Sequence, residues 1–228
     1  MQSEPFTYLP PSELVKRVRL FFVRTAWHAS IMEAMWQEAT QILRTLSFSL
    51  ERVHLLEGAG AFELVHLAGA IARQYTWRYG FSQLVSVRGP THIQSNLRLP
   101  PFFQGNLDSQ LRSEFLLESP GPIGYFQPFE PQAEQELPAI IVLGCILRGA
   151  TKHNEYLAHA VIANLAYLNL LTGIPIILGI LTPDTLQQAW ERVSQVREWV
   201  LTAFMTWEAR LKISHLRSQL LQSPEKSS

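Results

Sequence analysis

The fold of this chain is decided by Gly144–Tyr156, which reads GCILRGATKHNEY. The apolar run Ile140–Leu143 precedes it, and a long helical pattern begins near His153. The turn between them, Arg148–Lys152, contains a glycine and a threonine and no bulky apolar side chain. The first N–H groups of a helix lack internal partners, and the helix dipole favours negative charge there. The stretch therefore predicts a strand, a turn that can bind an anion, and a helix.

The composition sets limits on the class of protein. The chain has 228 residues, 47% of them hydrophobic, which is enough for one large domain or a domain with an insertion. Its 19 Lys and Arg balance 19 Asp and Glu, so nothing indicates nucleic acid or an anionic membrane surface as a partner. The single cysteine excludes an intramolecular disulfide framework. Neither a signal peptide nor an apolar run of ~18 residues is present, and we predict a cytoplasmic protein.

Outside this stretch, apolar segments alternate with helical patterns. Strands are predicted at Val15–Val23, Arg52–Leu56, Ala139–Leu147 and Ile174–Leu181. Helices are predicted at Ser30–Leu46, from Leu64, at His153–Leu171 with Gly173 as its stop, and from Thr182 with Pro183 as its first residue. This β-α order predicts a parallel sheet with helices on both faces.

Three further segments depart from the alternation. Residues 76–137 are rich in proline, glycine and aromatic residues, which predicts a packed, loop-rich insertion with a possible short helix at Asp108–Leu117, inside a single domain spanning 1–228. Apolar residues recur every three or four positions from Leu186 to Leu211, which predicts one long C-terminal helix, or two joined by a small kink. The three prolines among residues 1–14 predict an extended arm.

Ligands of parallel α/β sheets bind at the carboxyl ends of the strands. Four segments are predicted to meet there: Trp27-His28, Gly60–Glu63, Gly149–His153 and Thr182. The histidines have no metal-ligand spacing, and no Ser-His-Asp or CxxC pattern occurs. We therefore predict a site for small molecules without a metal.

These segments, in this order, resemble the 6,7-dimethyl-8-ribityllumazine synthase family. Gly60–Glu63 matches its GAFE turn, and Leu143–His153 matches its LG-x-x-I-x-G-x-T-x-H segment. The stretch from Gly173 to Arg192 matches TG-[IV]-P-[IV]-x-x-G…T…A-x-ER, and Ala26–His28 is similar to the loop after strand 1. The resemblance covers about residues 20–75 and 138–193. It implies a flavodoxin-like, three-layer α/β/α fold with a four-stranded parallel sheet.

The resemblance also implies an activity. The family condenses 5-amino-6-(D-ribitylamino)uracil with 3,4-dihydroxy-2-butanone 4-phosphate to give 6,7-dimethyl-8-ribityllumazine, a transferase step of riboflavin biosynthesis, and it needs no metal or redox cofactor. Its members are homo-oligomers, and their sites lie between adjacent subunits. We expect two small-molecule substrates and a pentamer or decamer of this chain, with no nucleic acid or membrane partner.

The resemblance assigns a role to each matching residue. His153 is the expected acid/base residue, because an unperturbed imidazole titrates near neutral pH. Trp27 is expected to stack on the pyrimidine. The other expected substrate-binding residues are Ala61, Phe62, Glu63, Cys145, Ile146, Leu147 and, from a neighbouring subunit, Leu178. The expected phosphate-binding residues are Ala150, Thr151 and, also from a neighbour, Arg192.

Each assignment has a purely structural alternative. Trp27 is also explained as a core aromatic, and Glu63 as an acid at a helix start. Cys145 is also explained as a small buried hydrophobe, and His153 as a helix cap. Arg192 is also explained as a solvated helix charge.

The chain departs from the family pattern in three places. The insertion of about sixty residues is not a usual feature. Ala26 stands where arginine is frequent, and no Gly/Lys-rich loop follows Arg192, so that Arg197 is the one possible substitute for a phosphate-binding lysine. The insertion and the missing loop favour a pentamer or decamer over a closed shell. Two alternatives stay open: a non-catalytic flavin- or lumazine-binding or scaffold relative, and an enzyme that uses another phosphorylated carbonyl compound.

Overall fold

The computed structural model describes residues 7–84 and 128–222, with side chains over 7–76 and 128–220. The chain divides into two compact units, residues 1–76 with 128–228 and residues 77–127, and the fold below is that of the first. The strands are β1 (Val18–Thr25), β2 (Val53–Gly58), β3 (Leu137–Cys145) and β4 (Ile176–Leu181). The helices are α1 (Ser12–Arg17), α2 (Ala29–Thr45), α3 (Ala61–Leu84), α4 (His153–Thr172), α5 (Leu186–Trp190) and α6 (Val196–Gln222). Most of the predicted insertion, including Asp108–Leu117, lies outside the described residues.

The four strands form one parallel sheet in the order β2-β1-β3-β4, which confirms the predicted fold class. Strand β3 lies between β1 and β4 and is buried at every residue, as its continuous apolar run predicts for a strand covered on both faces. The sheet therefore carries Gly144 and Cys145, at the end of β3, to the middle of its carboxyl edge.

Helices cover both faces of the sheet. A Cβ atom placed on Gly144 would approach Leu64 of α3, whereas one placed on Gly179 would approach Trp199 of α6. Helix α2 packs against α6 on the second face, and Gly69 of α3 lies near Leu168 of α4 on the first. The arrangement is the three-layer α/β/α fold that the motif resemblance implies. In the described part of the chain, no helix combines the length and the apolar character needed to cross a bilayer.

The first predicted strand begins too early. Residues Ser12–Arg17 form a helical turn and a half, and the strand starts only at Val18. Glu13 in the first turn, with Lys16 and Arg17 in the last, suits the helix dipole, and buried Leu14 anchors the helix. The basic start of the predicted strand therefore belongs to a short helix.

The described part of the N-terminal arm, from residue 7, contacts the outer helix α6 of the same chain. The Tyr8 hydroxyl donates a hydrogen bond of 2.6 Å to the carboxylate of Glu208 in α6. Burial, and then this carboxylate, raise the pKa of Tyr8. The contact ties residues before α1 to the outer helix.

The predicted helix start at Thr182 is wrong. The Leu181 and Pro183 carbonyls accept hydrogen bonds from the Ile146 and Arg148 N–H groups, at 2.8 and 3.0 Å. This parallel pairing keeps the chain extended beyond β4. Helix α5 starts at Leu186, and the Thr185 hydroxyl caps it by accepting from the Gln188 N–H.

The C-terminal helical region is also more broken than its apolar spacing predicts. A 3₁₀ turn, Val193–Gln195, separates α5 from α6, and the Arg192 N–H bonds back only three residues, to Ala189. The long helix α6 then packs on the sheet through fully buried Phe204 and Trp207. The Trp207 indole N–H donates to the Pro138 carbonyl at 3.0 Å, which fixes α6 against the start of β3.

Replacing Gly179 by alanine should destabilise this packing. A Cβ at Gly179 would lie 2.7 Å from Trp199 Cε3 and 2.8 Å from both Leu143 Cδ2 and the Val142 carbonyl oxygen. Overpacking of this kind costs about 1–3 kcal/mol, and each kcal/mol lowers the Tm of a domain of this size by about 2–4 °C. Thermal unfolding of Gly179→Ala, compared with the starting protein, measures the decrease in Tm. Gly149→Ala is the control, because a Cβ there meets no atom within 4 Å of the described chain; equal Tm values for the two variants would contradict the prediction.

Candidate active site

A cavity of about 440 Å³ opens at the carboxyl edge of the sheet. It is where the α/β topology predicts a ligand site. Three segments of the chain converge on it. They are the end of β1 with the start of α2, the start of α3, and the end of β3 with the start of α4. The lining residues are Thr25, Trp27, His28, Gly60, Ala61, Cys145, Ile146, Leu147, Gly149, Thr151, His153, Asn154 and Leu157.

Trp27 lies on the rim of this cavity rather than in the core. The Thr25 hydroxyl donates to the Trp27 carbonyl at 3.1 Å and holds the loop after β1. The Trp27 side chain is 69% exposed, so its interpretation as a core aromatic is wrong. Its indole lies 3.9 Å from the position that a Cβ on Gly60 would occupy. A flat aromatic surface thus faces the glycine turn across the cavity mouth.

The GAFE turn contributes less than its motif predicts. Ala61 is buried and lines the cavity, but Phe62 and Glu63 do not, and Phe62 is 64% exposed. The Glu63 carboxylate accepts the Gly60 N–H at 2.9 Å. Such a bond satisfies a donor at the helix start, which is the structural alternative for Glu63. The bond uses the Oε2 atom, and the Oε1 atom of the Glu63 carboxylate can still accept another hydrogen bond.

The end of β3 forms the apolar wall of the cavity. Cys145 and Ile146 are buried and Leu147 is half-buried. The Ile146 N–H is already used in the bond to Leu181, so Ile146 presents its remaining atoms to the cavity. Burial raises the pKa of the Cys145 thiol. The thiol is therefore neutral at physiological pH, which does not suit a nucleophile.

The Cys145 thiol should accordingly react slowly in the folded protein. A raised pKa reduces the thiolate fraction, and burial restricts access. We expect iodoacetamide to alkylate the native protein at pH 8 at least about tenfold more slowly than the denatured protein. Intact-mass measurement gives the rate directly, because the chain has one cysteine. Equal rates before and after denaturation would contradict a buried thiol.

Thr151 and His153 stand at the opening of α4. The Thr151 hydroxyl accepts the His153 N–H at 3.4 Å, and the Lys152 carbonyl accepts from the Glu155 and Tyr156 N–H groups. Both Thr151 and His153 are exposed and line the cavity. Ala150 is exposed between lining residues Gly149 and Thr151, but does not line the cavity itself. A helix start with a hydroxyl and an imidazole beside it suits an anion.

Arg192 and Leu178 do not reach this cavity within one chain. Arg192 lines a second cavity of about 440 Å³ together with Thr182, Asp184 and Trp199. Its guanidinium donates to the Gln188 carbonyl at 2.7 Å and is exposed. Leu178, on β4 at the edge of the sheet, is 40% exposed. Neither residue therefore lines the first cavity in its own chain.

Arg197 is not available as the substitute for the missing lysine. Its guanidinium bonds the Glu38 carboxylate at 2.5 Å and the Gln41 side chain at 2.8 Å, both on α2. In the ranges 7–84 and 128–222, no three His, Cys, Asp or Glu side chains come together as metal ligands would.

His28 also lines the cavity, although it is not among the predicted site residues. Its backbone is in the left-handed conformation, with φ of 56°, at the N-cap position of α2. The sequence indicates a role for His28 only through its position directly after Trp27. Thr25, Asn154 and Leu157 also line the cavity without having been predicted.

Comparison with known proteins bears on the C-terminal part of the chain. The model of the 6,7-dimethyl-8-ribityllumazine synthase family matches residues 125–210. A 6,7-dimethyl-8-ribityllumazine synthase of Parabacteroides distasonis is 48% identical over 58 residues, which are 25% of this chain and 36% of that protein. The protein of the same name from Thermosynechococcus vestitus is 50% identical over 60 residues, 26% of this chain and 34% of that protein. The protein of the same name from Syntrophus aciditrophicus is 48% identical over 58 residues, which are 25% of this chain and 38% of that protein.

The chain thus spans about a third of the length of the curated relatives it matches. The matched family residues include the end of β3, the turn with Thr151 and His153, and Arg192, and they exclude Trp27 and the GAFE turn. The resemblance to the family that the motifs indicate is confirmed by these matches.

Proposed function

We propose that this chain, with its resemblance to the 6,7-dimethyl-8-ribityllumazine synthases, condenses 5-amino-6-(D-ribitylamino)uracil with 3,4-dihydroxy-2-butanone 4-phosphate. The observation that carries the proposal is the convergence of distant motif segments on one cavity. Trp27 and Ala61 come from the N-terminal half, and Cys145, Thr151 and His153 from the C-terminal half. Each lies within the motif that the family resemblance assigns to one of the two substrates.

The two ends of the cavity suit the two substrates. The indole of Trp27 and the apolar wall of Cys145–Leu147 offer the surfaces on which a planar pyrimidine would lie. Thr151 and the start of α4, near Ala150, offer donors and a favourable dipole to the phosphate. The reaction releases phosphate and water, and both departures require proton transfer. His153, beside the phosphate position, carries an imidazole, the side chain that most often transfers protons in catalysis.

We assign Arg192 and Leu178 to the cavity of a neighbouring subunit. Both are exposed and lie away from the cavity of their own chain. A site shared head-to-tail between identical subunits produces a ring when the rotation between subunits closes, and a pentamer, alone or paired as a decamer, is the ring we propose. Exposed apolar residues on α4, among them Tyr156, Tyr167 and Leu170, support burial of this side of the molecule against another subunit.

The substrates are small molecules, with no metal or redox cofactor and no nucleic acid or membrane partner. The location is the cytoplasm, in keeping with the single cysteine and balanced charge. Residues 1–228 form one lumazine-synthase-like domain in which 76–137 are the insertion between α3 and β3. Phe62 and Glu63 are substrate contacts.

Mixing the purified chain with both substrates and following lumazine absorbance tests the activity. The expected result is a rate above that of the uncatalysed condensation, and phosphate release in equal amount. Native mass spectrometry of the same sample tests the ring. A rate no higher than the uncatalysed one would overturn the enzymatic proposal, and a monomer at working concentration would overturn the shared site.

A non-catalytic ligand-binding relative is the second candidate. The observation in its favour is that Glu63 and Arg197 are engaged within the chain, to Gly60 and to Glu38. The Arg197 guanidinium is then not available to a substrate phosphate, and one oxygen of the Glu63 carboxylate already has a partner. Binding of riboflavin or the lumazine by calorimetry, without turnover of the two substrates, would favour this candidate over the enzyme.

A further inference from the structure

A third cavity, of about 490 Å³, opens at the other end of α4 from the candidate active site. Asn169, Leu170 and Gly173 line it at the end of this helix, whereas His153 lines the candidate active site at its start. The distance from His153 to Asn169 along the helix is roughly 24 Å, at about 1.5 Å per residue. The other lining residues are Pro128, Ala166, Pro175, Thr206 and Arg210. The cavity is therefore separate from the site described above.

Arg210 reaches this cavity from α6, and the fold holds its guanidinium in place. The Nη2 atom donates a hydrogen bond to the Phe129 carbonyl oxygen. The guanidinium carbon lies 5.4 Å from the centroid of the Trp207 ring, which is a cation–π distance. A Cβ atom placed on Gly173 would lie 2.8 Å from both Nη atoms. The guanidinium is thus fixed against the glycine that ends α4, where the helix dipole favours a positive charge.

The contacts that hold Arg210 leave most of its hydrogen-bonding capacity unused. A guanidinium carries five N–H donors, and within residues 7–76 and 128–220 only the Phe129 carbonyl accepts from this one. None of the ion pairs between described residues includes Arg210. Burial lowers the pKa of Arg210, and the more distant charge of Glu130 opposes this only in part. An anion bound in the cavity would offset the cost of holding this charge away from water.

The lining favours a carboxylate on a short apolar body over a phosphate. Pro128, Leu170 and Pro175 give the cavity apolar surface, and Leu170 is 80% exposed. Because the negative end of the α4 dipole also lies here, one negative charge suits the cavity better than two. A guanidinium can donate to both oxygens of a carboxylate, and the exposed amide of Asn169 offers a further donor. The volume falls within the usual range of small-molecule sites, about 300–1,000 Å³.

We propose that the cavity at the C-terminal end of α4 binds a small monocarboxylate with a short apolar chain, whose carboxylate pairs with Arg210. The proposal goes beyond the proposed function and does not rest on it, because the two cavities share no lining residue. Leu170 belongs both to this cavity and to the side of α4 that we propose to face another subunit. The site is therefore tested in the full chain as it assembles in solution.

The probe is butyrate, and ligand-observed NMR of the assembled protein at pH 7 measures its binding. Butyramide has the same shape without the charge and should bind at least about tenfold more weakly, as expected when a charge-assisted hydrogen bond is lost. Arg210→Gln should weaken butyrate binding by the same factor, because glutamine keeps amide donors but has no charge. Lys212→Gln is the matched control. It removes an exposed cation of the same helix that pairs with Glu208 and does not line the cavity, and it should leave butyrate binding unchanged.

Ala166→Phe provides a second variant if Arg210→Gln does not fold, because it adds bulk at an exposed lining position and leaves the guanidinium in place. It should also weaken butyrate binding at least about tenfold. His153→Ala should bind butyrate as the starting protein does, and loss of binding there would place the probe in the candidate active site and overturn the proposal. No butyrate binding by the unmodified protein, tighter binding of inorganic phosphate, or unchanged affinity in either folded cavity variant would overturn it as well. None of these results bears on lumazine formation, which is measured separately.

Discussion

His153→Ala is expected to lower kcat for lumazine formation by about 10²–10⁴-fold, the usual contribution of a positioned acid/base group. His153 is the one imidazole at the start of α4, beside Thr151 and within the cavity. Without this imidazole, solvent water has to transfer the protons when phosphate and water leave. Steady-state rates from lumazine absorbance, corrected for the uncatalysed condensation, give the change. Substrate KM should change far less than kcat, because the imidazole acts on the reaction rather than on binding.

His66→Ala is the control. It removes an exposed histidine of α3 that does not line the cavity. We expect its kcat to stay within about twofold of the starting protein, as surface substitutions of this kind have little effect. A rate for His153→Ala equal to that of the control would remove His153 from the mechanism.

Arg192→Ala is expected to abolish most activity, and mixing it with His153→Ala is expected to restore part of it. The interaction between a guanidinium and a phosphate becomes stronger as negative charge develops on the leaving phosphate. Losing one such contact lowers the rate about 10²-fold. If Arg192 serves the neighbour's cavity, a mixed ring contains some sites with both native residues. Random assembly of equal amounts gives about a quarter of all sites intact in a head-to-tail ring. The measurement is kcat of rings refolded from the two variants together.

The separately refolded variants, mixed only afterwards, are the control and should stay inactive. No recovery in the co-refolded rings, together with native mass spectra showing that the variants do mix, would mean that Arg192 and His153 act within one chain or that Arg192 has no role. The structure motivates this design because Arg192 lines a different cavity from His153 and donates to its own Gln188 carbonyl.

Much of the fold was accessible from local patterns. The apolar run before Gly144 predicts a buried parallel strand, and β3 is buried at every residue. Gly173 predicts a helix stop, and it is left-handed at the end of α4, with φ of 64°. Because parallel strands end at one edge, the loops after β1 and β3 were expected to meet, and the cavity residues Trp27 and Thr151 do.

Other features depend on contacts between segments that are far apart in the sequence. Thr182 and Pro183 carry a strong local helix signal, but the Pro183 carbonyl pairs with the Arg148 N–H and keeps the chain extended. The predicted strand Val15–Val23 also starts too early, because Val15–Arg17 belong to the helix Ser12–Arg17.

What the sequence determined by itself is the β-α order, the parallel sheet and the presence of Thr151 and His153 at the start of α4, where they line the cavity. Spacing and residue type carry that information, because the apolar period of a strand or a helix depends on near neighbours along the chain. Only the tertiary structure decided that Arg197 pairs with Glu38 and that Arg192 does not line the cavity of His153 in the same chain. Those outcomes depend on which charged groups the packing brings within hydrogen-bond distance, and the spacing of residues along the chain does not encode such distances.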